Sequence, residues 1–308
     1  MRTCSKRFPT VLFSLWAVGA LCIAPAQAGF EKIILDSGVN GPKSIEVVDL
    51  DGVNGLDLLA VHTFDDRAVW YENLGNETYS MHIIGTMSDP SAIAAGHLNS
   101  DGYLDVVVAS FTAGSENWNL SYYLNDGNEN FTRYTIDTDL TGAEEIVLAN
   151  LDSGTSLDIA AVGYDSDTVV WYESNGAATP GFTRHDIATD KVHSESIDAA
   201  DLDGDGDIDL VTTAFMNNEI IWWENSGGAS PTFTEHATAG QIIGPKDVGV
   251  VDVDGDGDLD LVAVSFHESL VYWLENGGSE NFTLHIAGET PLGPVAVHGA
   301  DRNGDGHV

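Results

Sequence analysis

Cysteine is all but missing from this chain of 308 residues: the only two, Cys4 and Cys22, fall within the first 28. That opening stretch has a basic start (Arg2, Lys6, Arg7), an apolar run of about 14 residues and a small-residue end at Ala26-Gln27-Ala28. This is the pattern of a cleaved secretory signal. The run is shorter than the roughly 20 apolar residues a membrane-spanning helix needs, and nothing later in the chain reaches even that length. The expectation is a signal peptide over 1–28 and a mature chain over 29–308, without thiols, a disulfide framework or membrane insertion. Such a chain would be secreted, periplasmic or held at the cell surface.

Basic residues are scarce too. There are 11 Lys+Arg against 49 Asp+Glu, a net charge of −38, and three of the 11 would leave with the signal. A chain this acidic lacks the positive footprint that nucleic acid requires, and it is repelled by anionic lipid. Also missing are segments with helical period and the common signatures of a nucleophile elbow, a zinc protease or a phosphate-binding loop.

What the chain has is a repeat. DLDGVNGLD from Asp49, HLNSDGYLD from His97, NLDSGTSLD from Asn150, DLDGDGDID from Asp201, DVDGDGDLD from Asp252 and DRNGDGHV from Asp301 recur at spacings of 48, 53, 51, 51 and 49. An aromatic follows each of the first five motif starts, at Trp70, Tyr122, Trp171, Trp222 and Trp273, and leads into a polar turn such as ENLG or ENGG. Each unit carries four short runs rich in β-branched and aromatic residues, separated by Gly, Asp, Asn and Ser. Four strands in about 50 residues describe a blade of a β-propeller, and a β-helix would need shorter rungs. The expected fold is therefore all-β, a propeller of four-stranded blades. Phe30 stands 19 residues before Asp49, the usual spacing of a fourth strand, so FEKIIL is expected to complete the last blade and close the ring. Five blades and the start of a sixth are present. The expectation is a C-terminally truncated propeller, seven-bladed when complete.

The recurring motif is an acidic loop. In DLDGDGDID, Asp201, Asp203 and Asp205 alternate, Gly206 permits a sharp turn, Asp207 offers a backbone carbonyl and Asp209 closes the loop. Converging carboxylates repel one another and call for a cation. Hard oxygen donors in this number suit Ca²⁺ better than Mg²⁺, and Zn²⁺ lacks its usual ligands. An EF-hand is excluded because its twelfth position is Thr212 or Ala263 rather than Glu, and the flanks are β-type.

The copies are unequal. The loop of Asp252, Asp254, Asp256, Asp258 and Asp260 is complete, like that of Asp201. The next keeps Asn99, Asp101 and Asp105 but opens on His97. The loop of Asp49, Asp51 and Asp57 has Val53 at the third acidic position. That of Asn150, Asp152 and Asp158 has Gly154 there and Thr155 in place of the turn glycine. The last, with Asp301, Asn303 and Asp305, lacks its ninth residue. Tight binding is expected at two loops, weaker binding at the His97 loop, and little at the Asp49 and Asn150 loops.

These two complete loops, set in a four-strand period with WYEN-type turns, resemble the FG-GAP/VCBS repeat family, the VCBS type more closely because literal Phe-Gly and Gly-Ala-Pro pieces are absent. The resemblance spans residues 30–308. It implies an integrin-α-like propeller with several structural calcium ions between first and second strands, held by Asp201, Asp203, Asp205 and Asp209 and by Asp252, Asp254, Asp256 and Asp260. It also implies secretion, surface display, and adhesion or glycan binding. The family includes propellers attached to, or acting as, polysaccharide lyases.

Catalytic candidates mostly dissolve into the repeat. His82, His185, His236 and His285 share one column, with Tyr134 in the fifth copy, and a catalytic group is needed once, not once per blade. The face opposite the acidic loops carries off-pattern residues: His62, Arg67, Trp118, Lys191, His193 and His267. Loops on a rigid scaffold commonly carry function. A lyase would need a base and a cation, which His62 with Arg67, or Lys191 with His193, supply on paper. Phe111, Tyr164, Phe215 and Phe266 close the second strands, as core packing or stacking platforms. The favoured reading is a monomeric calcium-binding module for a glycan or a cell-surface protein. The alternative is a lyase-type, polysaccharide-degrading enzyme.

Overall fold

The computed structural model describes residues 34–112, 119–238, 240–278 and 281–300. The expected signal peptide, most of FEKIIL, Trp118 and the loop of Asp301, Asn303 and Asp305 lie outside the described residues. The described chain forms five four-stranded antiparallel sheets, each with its strands in sequence order. We number these blades one to five, over residues 42–86, 90–137, 143–188, 194–237 and 245–289.

The first strand of each blade packs against the first strand of the next, so the first strands lie side by side and the fourth strands form the outer edges. Sequence explains this order. The second strands, such as DVVVAS and DLVAVS, are buried at every position, the signature of a strand covered on both faces. The fourth strands, such as FTRYTID and FTRHDIA, alternate toward solvent and carry Thr, Arg and His, which suits an edge. Apolar cores fill the seams between consecutive blades. Trp70 and Tyr123 pack in the first seam, Tyr122 and Tyr172 in the second, Trp171 and Trp223 in the third, Trp222 and Tyr272 in the fourth. Residues 294–300 run beside the first strand of blade five, where the Val297 N–H donates to Asp247 at 2.7 Å and Gly299 packs against Val251.

Candidate functional site

Each acidic loop joins the first strand of its blade to the second, as the repeat predicts. In the Asp201 loop, Asp201 accepts the N–H groups of Gly204 and Gly206 at 2.8 and 3.0 Å. Asp203 accepts that of Asp205 at 3.0 Å, and Asp205 that of Asp207 at 2.8 Å. The Asp252 loop repeats the same four bonds. Gly206 and Gly257 have φ of 99° and 100°, a conformation that L side chains resist. These turns hold one carboxylate oxygen each of Asp201, Asp203 and Asp205 within 4.8 Å of one another. The same holds for Asp252, Asp254 and Asp260, and for Asp49, Asp51 and Asp57. Burial and the neighbouring carboxylates push the Asp203 and Asp254 acids up.

The ninth aspartate does more than close the loop. Asp57, Asp105, Asp158, Asp209 and Asp260 are all buried. Each accepts the N–H of the second loop residue with one oxygen, as Asp209 does from Leu202 at 3.1 Å, and a third-strand N–H with the other, as from Asn225 at 2.8 Å. Burial raises Asp105 and Asp209 to about 6 despite these bonds. The side chains of Asp207 and Asp258 leave the loop and lie over the turn glycines Gly227 and Gly278, so only their backbone faces the carboxylates.

The unequal copies are unequal in structure. His97 does not merely lack an oxygen. Its Nδ1 bonds the carbonyl of Tyr103 at 2.8 Å, the position that Asp207 fills in the complete loop, while Asn99 and Asp101 keep the turn hydrogen bonds. In the next copy the Asn150 amide donates to the Gly154 carbonyl at 2.9 Å and Asp152 accepts the Gly154 N–H. Thr155 is not among the positive-φ residues, so this loop turns by another path. The Asp49 loop, by contrast, assembles its three carboxylates although Val53 replaces the third acid.

At the opposite end, the off-pattern residues are held by the fold. His62 is 1% exposed. Its Nδ1 accepts from Arg67 at 3.3 Å and its Nε2 meets the Tyr71 hydroxyl at 3.2 Å. Burial, then the Arg67 charge, pull its pKa down. Lys191 is 5% exposed, pairs with Glu235 at 2.7 Å and lies over Trp223. His193 stacks on Tyr164 at 4.0 Å. His62 and Arg67 flank the turn between the second and third strands of blade one, whereas Lys191 and His193 lie in the connection from blade three to blade four, so the two pairs are not brought together. Phe111 meets Tyr164, and Phe215 meets Phe266 and His267, so these aromatics are partly packed and partly open. The repeated histidines are structural: each stacks on its blade's tryptophan at 4.5–4.8 Å and pairs through Nε2 with a third-strand glutamate at 2.6–3.0 Å.

Two features escape a reading of the sequence alone. The Asn of the ENxG-type turn clamps the seam: Asn225 donates to Leu151 O, and Asn276 to Leu202 O, in the preceding blade, both at 2.9 Å. First-strand acids also bridge blades. Glu145 accepts from Ile197 N at 3.0 Å and Asp198 from Val250 N at 2.9 Å. Burial raises Glu145 and Asp198 and lifts Glu46, which accepts from Ala95 N, to about 7. The recurring Asn and the acids in SIEVV, AEEIV and SIDAA were the available signals.

Comparison with solved structures gives the same architecture. An Agrocybe aegerita lectin that recognises non-reducing terminal N-acetylglucosamine is 16% identical, with a TM-score of 0.54 over 80% of this chain and 67% of that one. Virginiamycin B lyase from Staphylococcus aureus is also 16% identical, with a TM-score of 0.53 over 82% and 72%. An auxiliary nutrient binding protein from Bacteroides thetaiotaomicron is 11% identical, with a TM-score of 0.52 over 81% and 57%. At these identities the likeness concerns the fold. No curated protein matches the sequence. The FG-GAP-like repeat matches residues 137–212, 201–263 and 252–308, more than half of the chain, and with five four-stranded blades around acidic first-to-second-strand loops the chain belongs to the FG-GAP-like repeat family.

Proposed function

We propose that this is a secreted, monomeric calcium-binding propeller that serves as a binding and adhesion module for glycan, its calcium ions structural. The observation that carries the calcium reading is the convergence of three carboxylates at each of three loops. The donors are all oxygens, which fits a hard cation and Ca²⁺ best. Asp201, Asp203, Asp205 and Asp209 would hold the ion in blade four, and Asp252, Asp254, Asp256 and Asp260 in blade five, with the carbonyls of Asp207 and Asp258. Asp49, Asp51 and Asp57 would do so in blade one. The ion supplies counter-charge to loops whose acids repel one another.

The glycan reading is supported by aromatic side chains left partly open on a rigid scaffold, and by lectin and nutrient-binding proteins among the structural neighbours. A lyase has less support, because His62 is buried with both ring nitrogens engaged and Lys191 is buried in an ion pair. The test is thermal unfolding with calcium and with chelator, together with retention on neutral and acidic polysaccharides. An ion at about 100 times its Kd adds about 2.7 kcal/mol per site, so chelation should lower Tm by roughly 5 °C or more. An unchanged Tm overturns the calcium reading, and retention on no polysaccharide overturns the glycan reading.

A further inference from the structure

The seams between blades are not alike at the acidic-loop end. In the third, Asn225 donates to Leu151 O and the Ser153 N–H donates to Gly228 O, both at 2.9 Å. In the fourth, Asn276 donates to Leu202 O. In the second, Asn99 donates to Ala178 O at 3.3 Å and the Tyr122 hydroxyl to Pro180 O at 2.7 Å. At the first seam the corresponding Asn125 stays within its own blade, donating to Leu104 O at 3.2 Å. Among the described residues, no bond from it reaches Leu50. A cavity of about 450 Å³ opens there, with both Leu50 and Asn125 in its wall.

The lining has a particular chemistry. Trp70, Tyr103 and Phe131 supply aromatic surface, while Asp51, Asn128 and Glu129 supply hydrogen-bonding groups. Tyr103 packs over Gly127 and is 45% exposed, so its ring forms an open wall while Trp70 is buried at the floor. No Lys, Arg or His is among the lining residues. The volume falls within the usual range for small-ligand sites of roughly 300–1,000 Å³. A pyranose ring offers an apolar C–H face for an aromatic ring and vicinal hydroxyls for carboxylate and amide groups. A uronate or sulfated sugar would bring an anion against Asp51 and Glu129, and His82, whose Nδ1 lies 3.8 Å from Glu129, is already paired with Glu72 through Nε2 at 2.9 Å.

We propose that this cavity between blades one and two is the glycan subsite, taking one uncharged sugar ring of a chain, stacked on Tyr103 and hydrogen-bonded by Asn128 and Glu129. The proposal rests on the glycan reading above and narrows it to neutral sugars at one seam. The test is calorimetric titration of the calcium-loaded full chain with cello-, N-acetylchito- and galacturono-oligosaccharides. Tyr103→Ala and Asn128→Ala are compared with Ile286→Ala, an exposed position on the outer strand of blade five. At least one neutral oligosaccharide should bind and galacturonate should not. Tyr103→Ala and Asn128→Ala should each raise Kd about tenfold or more, with Ile286→Ala unchanged. Asn128 is on an exposed turn, so its variant answers even if Tyr103→Ala disturbs its loop. Binding that survives both cavity variants overturns the subsite and leaves the glycan reading standing. Preference for galacturonate overturns the neutral-sugar assignment. Binding of no oligosaccharide by the parent protein overturns both readings.

Discussion

Replacing Asn225 by alanine separates the clamp between blades from everything ionic. The side chain is buried and uncharged. It makes three hydrogen bonds: to Leu151 O of the preceding blade at 2.9 Å, to Ile208 O at 2.8 Å, and from Gly227 N at 2.9 Å. A buried hydrogen bond contributes about 1 kcal/mol net, and stranded partners cost more, so Asn225→Ala should lose about 3 kcal/mol. Asn125 occupies the same position in blade two but makes two such bonds, to Leu104 O and from Gly127 N. Asn125→Ala should therefore lose about 2 kcal/mol. The difference of about 1 kcal/mol is the share of the clamp that crosses the seam. Urea unfolding at saturating calcium reads it, and at roughly 2–4 °C per kcal/mol for chains of about this size it is also visible as a gap in Tm. Neither side chain titrates, so the gap should be the same with chelator. The reasoning fails if Asn225→Ala stays within about 0.5 kcal/mol of the parent, the usual range of neutral surface changes, or if the two variants are equally damaged.

Three further outcomes follow from the same geometry. Asp203→Asn removes an exposed carboxylate that its neighbours repel. The calcium-free protein should then hold its stability within about 0.5 kcal/mol, while calorimetry should show weakened calcium binding at that loop. Glu46 has a folded pKa raised from 4.5 to about 7 by burial, so its neutral form is favoured by folding. The stability this contributes is fully present below about pH 4.5 and lost as pH rises through about 7. Glu46→Gln should thus match the parent in acid and exceed its Tm above neutrality, by an amount equivalent to about 3 kcal/mol, and a parallel pH profile for the two proteins would refute the assignment. Trp222 is buried under His236 and against Phe282, so Trp222→Ala should cost about 3–5 kcal/mol in denaturant unfolding, whereas a polysaccharide-stacking role would leave stability intact.

Much of the candidate site was legible because it is local. Asp201, Asp203 and Asp205 converge through turns closed within five residues, and Gly206 marks the sharp bend. The loop that opens on His97 differs visibly from the complete ones by that residue, but the bond of its ring to the Tyr103 carbonyl is not written in the sequence. The Asp49 loop looked deficient because Val53 interrupts the acids, yet Asp57 comes back from the second strand to complete a trio. Catalytic pairings were the least legible. His62 beside Arg67 looks like a base with a cation in one dimension and is a buried hydrogen-bond relay to Tyr71 in three.

The sequence by itself determined the blade. A period near 50, runs of alternating and continuous apolar residues, and acidic loops at fixed phase fix strand identity and loop position, since these depend on bonds between near neighbours in the chain. Tertiary structure alone decided how the blades meet. Asn225 reaches a carbonyl 74 residues away, Glu145 an N–H 52 away, while the bonds of Asn125 among the described residues stay within its own blade. Such contacts turn on how adjacent sheets dock, a matter of small shifts in packed surfaces that no repeat column encodes. That is why nearly identical motifs give seams with different bonds at the acidic-loop end, and a cavity at the first.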